Sequence, residues 1–195
     1  MQNVFPNIFC FIDDFKNDYI KKLDKKITII FRNYHTKPNV KKLKELVKFC
    51  KSNDKKIILA NNPKLALNLG FDGSYIPSFN KITNFKFYKR NSKFLLLGSA
   101  HNQVEIKVKE KQGVDIIFLA PTFKVNKKNN YLGVNKFNLL TLDNNNNFIA
   151  LGGINESNVN KLKLLNCDGF SGISWVKKNG LKKFRPFLNS LNSDN

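Results

Sequence analysis

Residues 94–121 read FLLLGSAHNQVEIKVKEKQGVDIIFLAP, and the alternation within them decides the fold. Phe94-Leu95-Leu96-Leu97 is a nearly continuous apolar run, and so is Asp115-Ile116-Ile117-Phe118-Leu119-Ala120. Strands covered on both faces by helices have that composition. Between the two runs, residues 102–112 form a polar stretch of helical length. Strand, helix and strand in that order is the unit from which parallel sheets are built.

The same alternation extends outward in both directions. Apolar runs bounded by Gly, Pro, Asn or Asp occupy 4–12, 27–33, 56–61, 73–77, 94–100, 114–121, 148–154 and 169–176. Between them, Val40-Leu43-Leu46-Val47-Cys50 and Val159-Leu162-Leu165 have the three-four spacing of a helix face. Eight strands is the number that a closed (β/α)8 barrel needs. The expected architecture is therefore a single α/β domain over 1–195, a TIM barrel with short helices in places. A doubly wound open sheet gives a similar string, and periodicity alone does not separate the two. The fourth helix, at 78–90, is polar and irregular, and the sixth, at 135–141, is barely two turns. Residues 124–131 and 143–147 read as polar loops, and 191–195 as a frayed end.

A chain of 195 residues with 42% hydrophobic content suffices for one sizeable core. Its formal net charge of +20 raises a nucleic-acid partner. Lysine is spread over nearly every segment rather than gathered in a tail, however, so the charge reads as a solvated basic surface and not as a nucleic-acid site. Such a surface attracts anionic, phosphate-bearing ligands in either case. The apolar residues before Asp13 and Asp14 lack a basic leader, and no run approaches the roughly 20 apolar residues a bilayer span needs. A soluble cytoplasmic protein with no membrane partner is expected. Cys10, Cys50 and Cys167 share no metal-ligand spacing and read as small, reduced, buried side chains.

In a barrel, the loops after the strands build the site, and phosphate commonly binds after the seventh and eighth. Gly152-Gly153 follows the seventh run, where paired glycines allow a sharp turn and a close backbone approach. Gly172-Ile173-Ser174 follows the eighth, with amides and a hydroxyl able to donate to phosphate oxygens. Arg32 ends the second run, Asn61-Asn62 the third and Ser99-Ala100-His101 the fifth, while Lys124, Lys127 and Lys128 follow the sixth. Each also has a structural reading. Arg32 suits a surface ion pair, Asn61 a cap before Pro63, Ser99 a backbone partner, and His101 a cap for the helix after it. His35, before the turn at Pro38, reads as solvated.

The ordered set of motifs resembles the thiamine phosphate synthase and TenI family. Leu59-Ala60-Asn61-Asn62-Pro63 and Gly70-Phe71-Asp72-Gly73 are followed by Ser99-Ala100-His101-Asn102, Ala120-Pro121-Thr122-Phe123, Ala150-Leu151-Gly152-Gly153-Ile154 and Asp168-Gly169-Phe170-Ser171-Gly172. No single motif is diagnostic; the ordered set is fairly specific. The resemblance implies a thiamine-biosynthesis enzyme acting on a thiazole phosphate, which the synthases join to a pyrimidine pyrophosphate through a carbocation-like intermediate. TenI members instead isomerise the thiazole precursor. It also implies that Arg32 binds pyrophosphate with Asn61, Ser99, Lys127 and Lys128, and that Gly152, Gly153, Ile173 and Ser174 cradle the thiazole phosphate. His101 matches the residue that moves a proton in TenI-type enzymes.

The departures fall on charge. The family's magnesium carboxylates are replaced by Asn62 and Asn80, the glutamine and lysine flanking its arginine by Ile30 and Tyr34, and its loop threonines by Val125 and Lys127. Magnesium is held mainly by carboxylates and phosphate oxygens, so no resident metal is expected, and Mg2+ only together with pyrophosphate. Three readings stay open: a synthase relying on Arg32, Lys127 and Lys128, a metal-free tautomerase using His101, and a non-catalytic binder of a phosphorylated ligand.

Overall fold

The computed structural model describes residues 7–85, 88, 93–125, 130–142 and 144–172. The strands are β1 (Asn7–Ile12), β2 (Ile27–Phe31), β3 (Ile57–Ala60), β4 (Gly73–Ile76), β5 (Leu95–Ala100), β6 (Ile116–Leu119), β7 (Asn147–Leu151) and β8 (Gly169–Ser171). All are parallel, they pair in chain order, and β8 closes on β1 through Asn7↔Gly169, Ile8↔Phe170 and Phe9↔Ser171. Closure removes the open-sheet alternative. The helices are α1 (Asn17–Lys22), α2 (Val40–Ser52), α3 (Pro63–Leu69), α4 (Gln103–Gln112) and α5 (Gly133–Thr141).

Side chains alternate between two cores. One set, including Phe9, Phe11, Ile30, Tyr75, Leu97 and Phe118, fills the barrel interior. The other lies between strands and helices, where α2 buries Leu43, Leu46, Val47 and Cys50, the face read from its spacing. The helix ends follow from local chemistry. Asn39, Asn62 and Asn102 accept the amides of Lys42, Leu65 and Glu105, and Gly70 and Gly113 end α3 and α4 in the left-handed region at φ 76° and 73°.

A device at the amino ends of the strands recurs three times. Asp72, Asp115 and Asp168 each accept, through Oδ2, the amide of the first or second residue of the preceding strand: Ile57 at 2.7 Å, Leu96 at 2.8 Å and Phe148 at 2.8 Å. Each aspartate amide returns a bond to the carbonyl of that same residue. These reciprocal clips fix the starts of three strand pairs.

Two helical expectations are corrected. Among the described residues of 78–90 there is no α-helix; the carbonyls of Pro77, Asn80 and Ile82 are instead taken by side chains of α4. Val159–Leu164 is a 3-10 helix rather than an α-helix. Asn155 and Asn158 just before it bond backbone amides of this short connection, which competes with α-helical pairing and leaves room only for the tighter coil. Cys10 and Cys50 are buried, Cys167 is half-buried, and none of the three is in a disulfide. No helix among the described residues is long and apolar enough to cross a membrane.

Candidate functional site

Strand parity explains what reaches the barrel mouth. Ile30 points inward, so Arg32, two residues on, does too; Leu97 points inward, and Ser99 and His101 continue that series. These side chains, with Tyr34, Tyr75, Phe79 and Leu151, line a pocket of about 230 Å³ at the carboxyl ends of the strands. Its floor is aromatic. Tyr75 meets Phe11 and Phe118 edge to face, with ring centroids at 5.2 and 5.5 Å.

The Arg32 guanidinium lies over the Phe11 ring at 4.6 Å, and its amide donates to Ile12 O at 2.7 Å. No carboxylate among the described residues pairs with it, and its side chain lines the pocket. Ser99 Oγ accepts the Ser78 amide at 3.0 Å, and the Tyr75 side chain lines the same pocket. Burial pushes Tyr75 upward, against the opposing pull of Ser99 and Arg32. Tyr75 is therefore a neutral donor at physiological pH.

His101 is held by a residue that the site reading did not include. Glu105 Oε2 lies 2.8 Å from His101 Nδ1 and also accepts the His101 amide at 2.9 Å. A carboxylate there favours the tautomer with hydrogen on Nδ1 and leaves Nε2 as the hydrogen-bond acceptor. Burial raises the Glu105 carboxyl, but the His101 hydrogen bonds and charge, with Lys81 at 3.8 Å, bring it to a net position below the usual carboxylate range. The signal was present as Asn102-x-x-Glu105, the spacing of a helix capping box. Asn102, not His101, is the cap of α4.

The asparagines are committed to one another and to the backbone. Asn61 adopts φ 59°, in the left-handed region that Asn tolerates better than most residues, and donates its amide to Tyr75 O at 2.7 Å. Its Oδ1 accepts Asn80 Nδ2 at 2.8 Å. Asn62, not Asn61, caps α3, with Oδ1 3.0 Å from Leu65 N, and Asn80 Oδ1 accepts Ile82 N at 3.0 Å. Both side-chain oxygens at the family's metal positions are thus occupied, and neither carries charge. These residues do not fit a resident magnesium ion, which prefers charged oxygen ligands. No group of three or more metal-binding side chains occurs among the described residues.

Gly152 and Gly153 leave β7 with φ 91° and 76° and pack on the loop after β6. A Cβ on Gly153 would meet Phe123 O at 2.2 Å, so only glycine fits. Thr122 ties the two loops together, its Oγ1 accepting Leu151 N at 3.0 Å and donating to Leu119 O at 3.0 Å. Arg32, Ser99 and His101 are therefore brought together in one pocket, and the Asn61–Asn80 pair belongs to the same strand ends. Lys127, Lys128, Ile173 and Ser174 lie outside the described residues. His35 is exposed.

Comparison with known proteins fits this geometry. A family model described as thiamine monophosphate synthase matches residues 15–176. The chain is 31% identical over 123 residues to a thiamine-phosphate synthase of Prochlorococcus marinus strain SARG, covering 62% of this chain and 35% of that protein. A thiamine-phosphate synthase of Lactococcus lactis subsp. cremoris is 26% identical over 120 residues, covering 60% of this chain and 55% of that one. The chain thus spans between about a third and just over half the length of these relatives. Among solved structures, thiamine phosphate pyrophosphorylase from Pyrococcus furiosus superposes with TM-score 0.74 at 16% identity, over 100% of this chain and 98% of that chain. A citrate synthase structure superposes at 0.67 with 12% identity, so the barrel alone does not specify chemistry.

Proposed function

Because this chain belongs to the thiamine monophosphate synthase family, whose model it matches over residues 15–176, we propose that it joins a thiazole phosphate to hydroxymethylpyrimidine pyrophosphate to give thiamine phosphate. The observation that carries this reading is the Arg32 guanidinium, without a carboxylate partner among the described residues, in the strand-end pocket with Ser99 and His101. In the reaction, the bond between the pyrimidine methylene carbon and the pyrophosphate oxygen breaks, and pyrophosphate leaves with the electron pair. The thiazole nitrogen then bonds to that carbon.

Each residue has a part in that step. Arg32 stabilises the charge growing on the departing pyrophosphate, and Lys127 and Lys128 add to it. Asn61, Ser99 and the neutral Tyr75 hydroxyl orient the substrate. The aromatic floor of Phe11, Tyr75 and Phe118 keeps water from the cationic carbon. Gly152 and Gly153, with Ile173 and Ser174, hold the thiazole phosphate. Magnesium enters this reading only as a complex with pyrophosphate, and no step is assigned to it. The substrates are soluble small molecules of the cytoplasm.

A tautomerase reading is favoured by a single feature, the His101–Glu105 pair, which leaves Nε2 as the acceptor of a histidine in the pocket wall. One experiment separates the two. The protein is incubated with both substrates, with and without magnesium, and thiamine phosphate is measured. For the synthase, Arg32→Ala lowers kcat by roughly 100-fold or more while His101→Gln costs far less. For a tautomerase, His101→Gln causes the loss of about 100-fold, in thiazole isomerisation, because the proton carrier is gone. No thiamine phosphate from the unmodified protein under either condition would overturn the synthase.

A further inference from the structure

The connection between β4 and β5 carries Ser78, Phe79 and Asn80 to the mouth, and it has no α-helix of its own among the described residues. Its conformation is imposed from α4. Lys109 and Gln112, both with no exposed surface, lie beneath it. Lys109 Nζ donates to Pro77 O at 2.9 Å, Asn80 O at 3.2 Å and Gln112 Oε1 at 2.7 Å, a full complement for an ammonium. Gln112 Nε2 donates to Asn80 O at 2.8 Å and Ile82 O at 2.7 Å. Every acceptor is neutral. A charge buried on neutral acceptors contributes little net stability, but it discriminates strongly among loop conformations, because any other arrangement strands the donors.

We propose that Lys109 and Gln112 are positioning residues of the site, holding the β4–β5 connection so that Ser78 meets Ser99, Asn80 meets Asn61, and Phe79 closes the rim. The inference rests on the synthase reading for its substrates but not for its geometry. The Lys109 stem crosses β5 at Gly98, where a Cβ would approach Lys109 Cδ to 2.7 Å. The clamp therefore touches the strand one residue before Ser99. The Lys109 amine is pushed down to about 8, first by burial and then by Lys81, against the pull of Glu105. It thus keeps all three donors at neutral pH.

The test compares Lys109→Met and Gln112→Leu with Lys55→Met. Lys55 is also buried, but its Nζ bonds Leu23 O, before β2 at the amino end of the barrel and away from the mouth. Inorganic pyrophosphate affinity is measured by calorimetry, kcat and KM by thiamine phosphate formation, and loop order by amide exchange at Ser78, Asn80 and Ile82. The clamp variants are expected to weaken pyrophosphate binding and raise KM about tenfold with kcat changed by less than about threefold. Lys55→Met lowers the melting temperature and leaves KM alone. Equal KM changes in all three, or none in the clamp variants, overturn the proposal. If Lys109→Met does not fold, Gln112→Leu and Gly98→Ala carry the same expectations. If the unmodified protein neither binds pyrophosphate nor turns over, the synthase reading fails, and exchange decides the clamp. Faster loop exchange in Gln112→Leu than in Lys55→Met sustains it, and equal exchange overturns it.

Discussion

Glu105 does two things with one oxygen, accepting both the amide and the ring nitrogen of His101. Its carboxyl sits below the usual 4.5 in the folded chain. A carboxyl with a depressed folded value stabilises the fold fully above its unfolded value, and that stability is lost as pH falls through the folded one. Glu105→Gln is therefore expected to narrow its stability deficit against the unmodified protein as pH drops below 4.5, read by thermal melts across an acid series. A deficit that stays constant with pH would show that the carboxylate charge is not what holds His101. The sequence exposed this scale unevenly. Arg32, Ser99 and His101 were legible because each ends an apolar run at inward parity. Asn61 and Asn62 were not told apart, since which of two neighbouring asparagines caps α3 depends on the left-handed backbone at Asn61. Tyr75 was hidden inside a strand, where nothing local marks a side chain that will share a pocket with Ser99 from another strand.

At the scale of elements, strand positions follow from hydrophobic runs, but what joins the strands follows from single polar residues. The Asp clips are the clearest instance. Asp115 links β5 to β6 through Leu96 N at 2.8 Å, with its own amide 2.6 Å from Leu96 O. Removing the carboxylate leaves the Leu96 amide, near the start of β5, without its acceptor, so Asp115→Ala is expected to cost about 2 kcal/mol, measured by urea unfolding. Asp115→Asn, which keeps an acceptor, should cost less. Equal losses for both would point to packing rather than the hydrogen bond. The recurrence at Asp72, Asp115 and Asp168 is not legible in the sequence, because the spacing between them is irregular and only the barrel aligns them. The connection at 78–90 failed as a helix for a related reason. Its apolar residues Phe79, Ile82 and Phe85 recur every third position rather than at the three-four spacing of an α-helix, and the carbonyls of Pro77, Asn80 and Ile82 are held by Lys109 and Gln112, 29 to 32 residues further along the chain.

Over the whole molecule, the two ends of the barrel divide the work. The Asp clips and buried Lys55 lie at the amino ends of the strands, while Arg32, Ser99 and His101 lie at the carboxyl ends. A closed sheet permits that separation because no edge needs protection. The net charge of +20 acts on both ends at once. Summed over the surface, it attracts an anionic ligand before any contact forms, and salt screens that field while leaving a desolvated contact less affected. Pyrophosphate affinity is therefore expected to fall about tenfold between 0.05 and 0.5 M potassium chloride. The local and global sources are separable. If the attraction came from Arg32 alone, Arg32→Ala would remove most of the salt dependence together with the affinity. If it comes from lysines spread over the surface, Arg32→Ala weakens binding while the slope against log salt stays nearly unchanged. The dispersed sequence pattern of lysine favours the second outcome, and calorimetry of both proteins across the salt series decides it.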